Sequence, residues 1–314
     1  MHKRKPVILD CDTGTDDAIA IMIALYAPEL DVRAITTVHG NVALKHTSQN
    51  TLNLVDHLGF DTRVAVGAEK PILKETFASS TGTHGQTGLG NLRLPKARAK
   101  FILKNAVDTI YEEAAALGGD LVLIPTGPMT NIAQVIMIYP DIIPLIKEIV
   151  FMGGAMVGGN ITNAAEFNAW ADPEALHLVL NSGIPCKMIG LDVTLKAALN
   201  TEDAGDFRKL KSKAGQVTAD LLDFMLARHH RGGEDALMHD GLAVAAAAVP
   251  QIVKTKRYYV DCECSGRYTR GHTYVATNEL FFRKSERPAQ CDVALGLDLP
   301  GFKSYMKTVI SLAE

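Results

Sequence analysis

The chain is predicted to be α/β: a single open, mostly parallel sheet with helices on both faces, and an antiparallel ribbon at one edge near the C-terminus. Three observations carry this. Apolar strand-like runs alternate with helix-like stretches along most of the 314 residues, the order that a parallel sheet covered on both faces requires. Polar residues and glycines gather where the strands end, and in open α/β sheets the ligand crevice lies at that end. From Lys256 to Val275 polar and apolar residues alternate instead, as in a ribbon with one wet face.

The elements follow in order. Val7–Asp10 is the first strand. A Thr-Gly-Thr turn leads to a helix over Asp16–Ala27, apolar from Ala18 to Leu25. Val32–Thr37 reads as a strand, Leu44–Leu58 as a helix and Arg63–Val66 as a short strand. A helix over Ala106–Leu117 precedes a strand over Leu121–Pro125; a helix over Asn131–Ile138 precedes a strand over Glu148–Met152. Asp172-Pro173-Glu174 places an N-cap before a proline, so a helix runs to about Asn181. Gly183 stops it, and Cys186–Leu191 is the next strand. Leu242–Val249 reads as a buried helix ended by Pro250. The Gly-, Ser- and Thr-rich stretch Phe77–Pro95 is long for a loop, and such loops are often functional.

No repeat or interdomain linker interrupts this order, so one domain over 1–314 is expected. The composition, 47% hydrophobic and 21% charged with mean hydropathy +0.08, is that of a soluble enzyme. A net charge of −3 without a long basic run argues against nucleic acid. No segment is long and apolar enough for a membrane span. The cysteines number five, Cys11, Cys186, Cys262, Cys264 and Cys291, with no CxxC pair. They are read as reduced, in a cytoplasmic protein. Cys262 and Cys264 are expected on one face of a strand, and Cys11 on the face opposite Asp10 and Asp12.

Four aspartates, Asp10, Asp12, Asp16 and Asp17, stand within eleven residues at the end of the first strand. A pair of aspartates before a helix is usually only a cap. Four carboxylates at one strand end repel one another unless a cation compensates. A hard divalent metal held by carboxylate oxygens is the simplest reading. The other strand ends carry Thr37-Val38-His39-Gly40-Asn41, Pro125-Thr126-Gly127-Pro128, Met152-Gly153-Gly154 and Leu191-Asp192. Any one of these would be a turn; together they outline one crevice. Farther on, Asn160, Glu166 and Asn168 set amide and carboxylate groups around Phe167. Such a set suits a polyhydroxylated ligand, whose hydroxyls each need a donor and an acceptor. Met238-His239-Asp240 opens the Ala-rich helix, with Asp240 as cap or metal ligand and His239 as a proton donor.

Taken together these residues resemble the inosine–uridine type nucleoside hydrolases. The resemblance rests on DCDTGTDDA from Asp10, TTVHGN from Thr36, GTHGQTGLG from Gly82 and PTGPMTNIA from Pro125. It continues through FMGGA from Phe151, GNITNAAEFNAWADPEA from Gly159 and MHD from Met238. It runs in order from residue 6 to about residue 250 and more loosely to the C-terminus. It implies the nucleoside hydrolase fold and Ca²⁺-dependent hydrolysis of the N-glycosidic bond of ribonucleosides. The implied Ca²⁺ ligands are Asp12, Asp17, the Thr126 carbonyl and Asp240, with ribose hydroxyls completing the shell. Asp12 would double as general base toward the attacking water, held by Asn41. Asp16 would bind the 2′-hydroxyl; Asn160, Glu166 and Asn168 the 5′- and 3′-hydroxyls; Met152 and Phe167 the sugar. His84 and His239 would lie where the base departs, His239 as its proton donor. Asp10 is read as a residue that orients Asp12. The family usually forms homodimers or homotetramers.

The purine-specific branch sandwiches its base between tryptophans, whereas the only tryptophan here is Trp170. That places the chain with the branch accepting inosine or uridine. Base preference also depends on the segment 227–236, which lacks a tyrosine often found there. Two rival readings remain at this level. A haloacid-dehalogenase-type Mg²⁺ phosphatase also begins with a strand ending in Asp-x-Asp, but Asp16-Asp17 break its pattern. A non-catalytic nucleoside- or ribose-binding protein would be favoured by loss of Asp12, which is present.

Overall fold

The computed structural model describes residues 3–74, 79–228, 235–278 and 288–313. Its centre is an eight-stranded sheet made of β1 (Lys5–Cys11), β2 (Leu30–Thr37), β3 (Val64–Val66), β4 (Leu121–Pro125), β5 (Ile146–Met152), β6 (Cys186–Ile189), β9 (Val253–Tyr258) and β12 (Cys291–Leu297). Two short antiparallel pairs lie outside it: β7 (Ala198–Leu199) with β8 (Ala236–Leu237), and β10 (Val260–Cys262) with β11 (Thr273–Val275). The strand order is β3-β2-β1-β4-β5-β6-β12-β9. All neighbours pair in parallel except β12 and β9. The order reverses at β1, which has β2 on one side and β4 on the other. That switch point opens a crevice beyond the strand's C-terminal end, where the aspartates stand.

The strands are apolar runs because both faces are covered. In β1, Val7, Leu9 and Cys11 join one core cluster and Ile8 joins the other. The first cluster packs the sheet against α1 (Thr15–Tyr26), α10 (Lys213–Arg228) and α11 (His239–Ala248). Eleven of the twelve α1 residues are buried, since α10, α11 and the C-terminal helix Leu299–Ser311 all pack on it. The second cluster packs the sheet against α4 (Ala106–Leu117), α5 (Thr130–Ile138) and α7 (Pro173–Leu180). Asp172 caps α7 by accepting from the Ala175 N–H, as Asp-Pro foretells.

Three expectations are corrected. The strand read to Leu191 ends at Ile189: the chain turns at Gly190, packed on the Gly154 carbonyl, into a helical turn, α8 (Leu191–Thr194). The alternating stretch from Lys256 is divided: β9 is the sheet's antiparallel edge, and only β10 and β11 form a separate ribbon. Cys264 lies beyond the end of β10, against the Pro173 carbonyl, so it shares no strand face with Cys262. Strand β12, inserted between β6 and β9, lies outside the expected elements; its polar flanks hide a seven-residue strand. All five cysteines are free, and no helix among the described residues is long and apolar enough to cross a membrane.

Candidate active site

A cleft of about 230 Å³ opens at the C-terminal ends of β1, β2, β4 and β5. Its floor is acidic. Chain continuity places Asp12 one residue past β1, and Asp16 and Asp17 in the first turn of α1. Asp240 opens α11 from the other side of the crevice. All four are nearly inaccessible to water.

Each carboxylate is fixed by groups that sequence spacing does not reveal. Asp12 Oδ2 accepts from the Asn41 backbone N–H at 2.7 Å. Gly40 and Gly127 let backbone pass so close that a Cβ at Gly40 would collide with Asp12 Oδ2, and one at Gly127 would lie 2.9 Å from Oδ1. Asp17 Oδ2 accepts from the Gly14 N–H at 2.9 Å and from Asn41 Nδ2 at 3.0 Å. Asp17 Oδ1 accepts from the Thr126 hydroxyl at 2.8 Å. Burial lifts the Asp12 carboxyl well above its ordinary range, and the Asp17 charge adds to the rise. Burial, then the Asp16 charge, takes Asp17 to about 6. Asp240 is raised by burial and then by Asp16, Asp17 and Asp12.

Could these residues hold a cation? Oxygens of Asp16, Asp17 and Asp240 all lie within 4.8 Å of one another. Asp12 adjoins the set, and its Oδ1 is buried with no hydrogen-bond partner among the described residues. The Thr126 carbonyl accepts from Asn168 Nδ2 at 2.7 Å, which leaves one of its two lone pairs. An all-oxygen set with a surplus of buried negative charge and an orphaned carboxylate oxygen fits a hard divalent cation. By mutual distance the tight trio contains Asp16 where the resemblance implies Asp12.

The wall beyond Asp240 is polar. Glu166 is the N-cap of α6 (Phe167–Ala171), accepting from the N–H groups of Asn168 and Ala169, and also from that of Gly154. Three donors occupy three of roughly four acceptor sites on a carboxylate. Burial raises its carboxyl. Asn160 Oδ1 accepts from the Phe167 N–H at 2.9 Å, which seats the Asn160 loop on α6. Asn168 Nδ2 spans the Thr126 and Met152 carbonyls. Met152, Asn160, Glu166, Phe167 and Asn168 all line the cleft.

The opposite end is built from scattered pieces. His84 closes the short α3 (Thr81–His84), and its Nδ1 accepts from the Thr15 N–H at 3.1 Å. Burial drops the imidazole to about 4, so it is neutral at pH 7, with its proton assigned to Nε2. His239, the first residue of α11, meets the Thr194 hydroxyl through Nδ1 at 2.8 Å. Leu195, Met225, Arg228 and Leu237 complete this end. Arg228 donates to the Thr83 carbonyl and so ties the end of α10 to α3. Arg228 falls in the segment 227–236 on which base preference is expected to depend; Leu195, Met225 and Leu237 are not singled out by the sequence. Of the segment 227–236, residues 229–234, including His229 and His230, lie outside the described residues. Trp170 is not among the cleft residues; Lys74 lies over its ring at 4.4 Å.

Asp10 makes no hydrogen bond to Asp12 among the described residues. The strand's alternation ends at Cys11, and Asp10 Oδ1 accepts from the Thr36 hydroxyl and Asn131 Nδ2. Its own carbonyl accepts from the Thr126 N–H at 2.8 Å. It ties β1 to β2, β4 and α5 beneath the floor.

The sequence family model described as inosine-uridine preferring nucleoside hydrolase matches residues 7–304. The pyrimidine-specific ribonucleoside hydrolase RihA of Escherichia coli is 38% identical over 301 residues, 95% of each chain. A purine-preferring ribonucleoside hydrolase from Gardnerella vaginalis superposes with a TM-score of 0.92 at 37% identity, covering 98% of this chain and 99% of that one. A plant nucleoside hydrolase superposes at 0.91 with 28% identity, covering 98% and 99%. With that match across nearly the whole chain and the acidic crevice at the switch point, the chain belongs to the inosine-uridine preferring nucleoside hydrolase family and is an N-glycosidase.

Proposed function

We propose that the chain hydrolyses ribonucleosides to free base and ribose with a bound Ca²⁺, and that Asp12 is the general base. The observation that supports this most is the state of Asp12: one oxygen is locked by the Asn41 N–H, and the other is buried with no hydrogen-bond partner among the described residues. Ca²⁺ would be held by Asp12, Asp17, the Thr126 carbonyl and Asp240, with Asp16 beside them. When bound it supplies charge balance for the buried carboxylates and a Lewis acid for hydroxyl and water oxygens.

The side chains then divide the work. Stretching the bond from C1′ to the base builds positive charge on the ribose ring. Asp12, Asp16, Asp17 and Asp240 set negative charge beneath it, where that charge is worth most because water is excluded. Asp12 takes the proton of the attacking water. Asn41 serves two carboxylates at once, through its backbone to Asp12 and its side chain to Asp17. Asp16 holds the 2′-hydroxyl, which makes 2′-deoxyribosides poor substrates. Asn160, Glu166 and Asn168 hold the 3′- and 5′-hydroxyls against Met152 and Phe167. We assign proton donation to the leaving base to His239 Nε2, with the Thr194 hydroxyl orienting the ring through Nδ1. His84 lies beside the base. Among the described residues this end offers apolar Leu195, Met225 and Leu237 and no tryptophan or tyrosine, which accords with a broad choice of base.

We also read residues 1–314 as one catalytic domain in a cytoplasmic homodimer or homotetramer; sedimentation velocity checks the assembly. The reaction itself is tested by reducing-sugar release from uridine, cytidine, inosine, adenosine, guanosine and 2′-deoxyuridine. Sugar should be released from ribonucleosides and far more slowly from 2′-deoxyuridine. No release from any ribonucleoside in the presence of Ca²⁺ would refute the reading.

A further inference from the structure

The ribbon β10–β11 pairs with no strand of the main sheet, yet one of its side chains reaches the loop that carries the sugar wall. Thr273, 2% exposed, donates its hydroxyl to the Ala155 carbonyl at 2.6 Å and accepts from the Ala155 N–H at 2.8 Å. Both polar groups of one buried backbone residue are thus held by one hydroxyl. The neighbouring Gly154 lies at φ +70 with its Cα against this threonine; a Cβ there would sit 2.7 Å from Thr273 Cγ2. The Gly154 N–H donates to Glu166 Oε2 at 2.9 Å. On the far side of the clasp, Asp192 accepts from the Met156 N–H at 2.7 Å.

We propose that Thr273 is a positioning residue for ribose recognition: through Ala155 and Gly154 it sets the rotamer of Glu166. The other two donors to Glu166 are Asn168 and Ala169, in its own helix. They cap α6 and would move with it. The Gly154 bond alone ties the carboxylate to the end of β5, the strand that also delivers Met152. Without the Thr273 hydroxyl, Ala155 loses partners for both of its backbone groups in a site buried from solvent. The loop must then shift, because an unmet buried amide is costly. This inference rests on the reading of Glu166 as a ligand of a ribose hydroxyl.

The test compares Thr273→Val, Thr273→Ser and Glu166→Gln on uridine, 5′-deoxyuridine and 3′-deoxyuridine, at a temperature well below each variant's Tm. Thr273→Val keeps the shape and removes the hydroxyl. It should lower kcat/KM for uridine about tenfold, the scale of one buried hydrogen bond left unmade. Thr273→Ser should stay within about twofold of the parent. Whichever deoxy analogue is spared by Glu166→Gln should be spared by Thr273→Val as well. In the double variant, Thr273→Val should add less than twofold to Glu166→Gln. If Thr273→Val does not fold, Thr273→Cys, whose thiol is a poor donor and acceptor, takes its place. An equal loss on all three substrates, or a loss that simply multiplies with that of Glu166→Gln, overturns the positioning role and leaves a packing role. If Glu166→Gln is itself without effect on uridine, the ribose reading of Glu166 has failed, and this proposal with it. If Glu166→Gln is impaired and Thr273→Val is not, only the clasp has failed.

Discussion

At the acidic end of the cleft the side chains are held by loops just past the strand ends and by the first turn of one buried helix; at the base end they are held by the ends of several separate helices. Asp12 and Asp17 accept from the N–H groups of Asn41 and Gly14, and glycines at 40 and 127 bring main chain within contact of Asp12. These groups sit just past strand ends or at the start of a buried helix. At the base end, His84 rests on Thr15, His239 on Thr194 and Arg228 on the Thr83 carbonyl. Apart from Thr15 in α1, those residues come from α3, α8, α10 and α11, which share no common strand. The difference separates chemistry from choice of base. A site with a buried backbone frame tolerates little change, whereas a wall of helix ends can be rebuilt residue by residue.

The largest expected effect is at the frame. Asp12→Asn keeps the shape but removes a charge and the proton acceptor. Its kcat should fall by at least about 10²–10⁴, and by the same factor for uridine, inosine and adenosine. A loss that differs strongly between bases would break the division between the two ends. Gly40→Ala drives a methyl into Asp12 Oδ2; it should also reduce every substrate alike.

His239 lies on the other side of that division. If it protonates the departing base, His239→Ala should cost about 10²–10⁴ in kcat on inosine, and little on p-nitrophenyl riboside, whose leaving group needs no proton. Sugar contacts survive, so the loss should fall on kcat more than KM. Equal losses on both substrates, mainly in KM, would reduce His239 to a packing partner of the base.

The acidic frame also sets a pH dependence that the base end opposes. Asp10 and Asp17, ordinarily near 3.8, stand at about 6 when folded, chiefly through burial; Asp12 and Asp240 are raised further. A carboxyl raised on folding contributes stability that is complete below the unfolded value and lost as pH climbs through the folded one. His39 and His84, ordinarily near 6.5, are pushed by burial to about 4. Their contribution is complete above 6.5 and lost as pH falls toward 4. The two sets oppose each other between about 4 and 6.5, and above that only Asp12 and Asp240, the carboxyls raised furthest, still act. In chelator, Tm should therefore fall as pH rises from 6.5 to 8.5. Ca²⁺ should flatten the slope, and at a hundred times its Kd it should add about 2.7 kcal/mol. A chelated protein whose Tm is level across that range would show that the aspartates carry no such strain.

Legibility in the sequence follows the same division. Parallel strands with both faces covered are short apolar runs, so β1, β2, β4 and β5 were readable within a residue or two. Asp12, Asp17 and Asn41 follow them directly, so the floor came with the strands. Strand β12 did not, because its place between β6 and β9 is a long-range pairing that no local pattern encodes. Asp10 shows the limit of local reading: its hydrogen bonds run to Thr36 and Asn131, which no pattern around Asp10 names. Met225 carries no signal because α10 would look the same if that turn faced solvent; Arg228 falls within the segment 227–236, but nothing in that segment marks it out. Thr273 was silent too, a single hydroxyl in an alternating strand whose partner lies 118 residues away.

The smallest effects should arise at the base wall, and there the ratio between substrates is the sharper readout. Met225 is 4% exposed and lines the cleft from the last turns of α10; Leu195 lines the mouth and is 53% exposed. Met225→Ala opens space beside the base and removes contact from one wall. A missing methylene in an enclosed apolar pocket is worth about 10-fold or more in discrimination. The ratio of kcat/KM for inosine to that for uridine should therefore move by about tenfold. Leu195 already faces water, so Leu195→Ala should move it by less than about threefold. Met225 is also part of the core, and its truncation costs stability, commonly about 2–5 kcal/mol for a buried methionine. A ratio of two substrates on one preparation cancels any loss of folded enzyme, which an absolute rate does not. Asp12→Asn should leave the same ratio untouched while nearly abolishing both rates. If Met225→Ala scales both substrates equally, and Leu195→Ala does too, the choice of base is made elsewhere, by His84, His239 or Arg228, and the apolar wall is only a boundary.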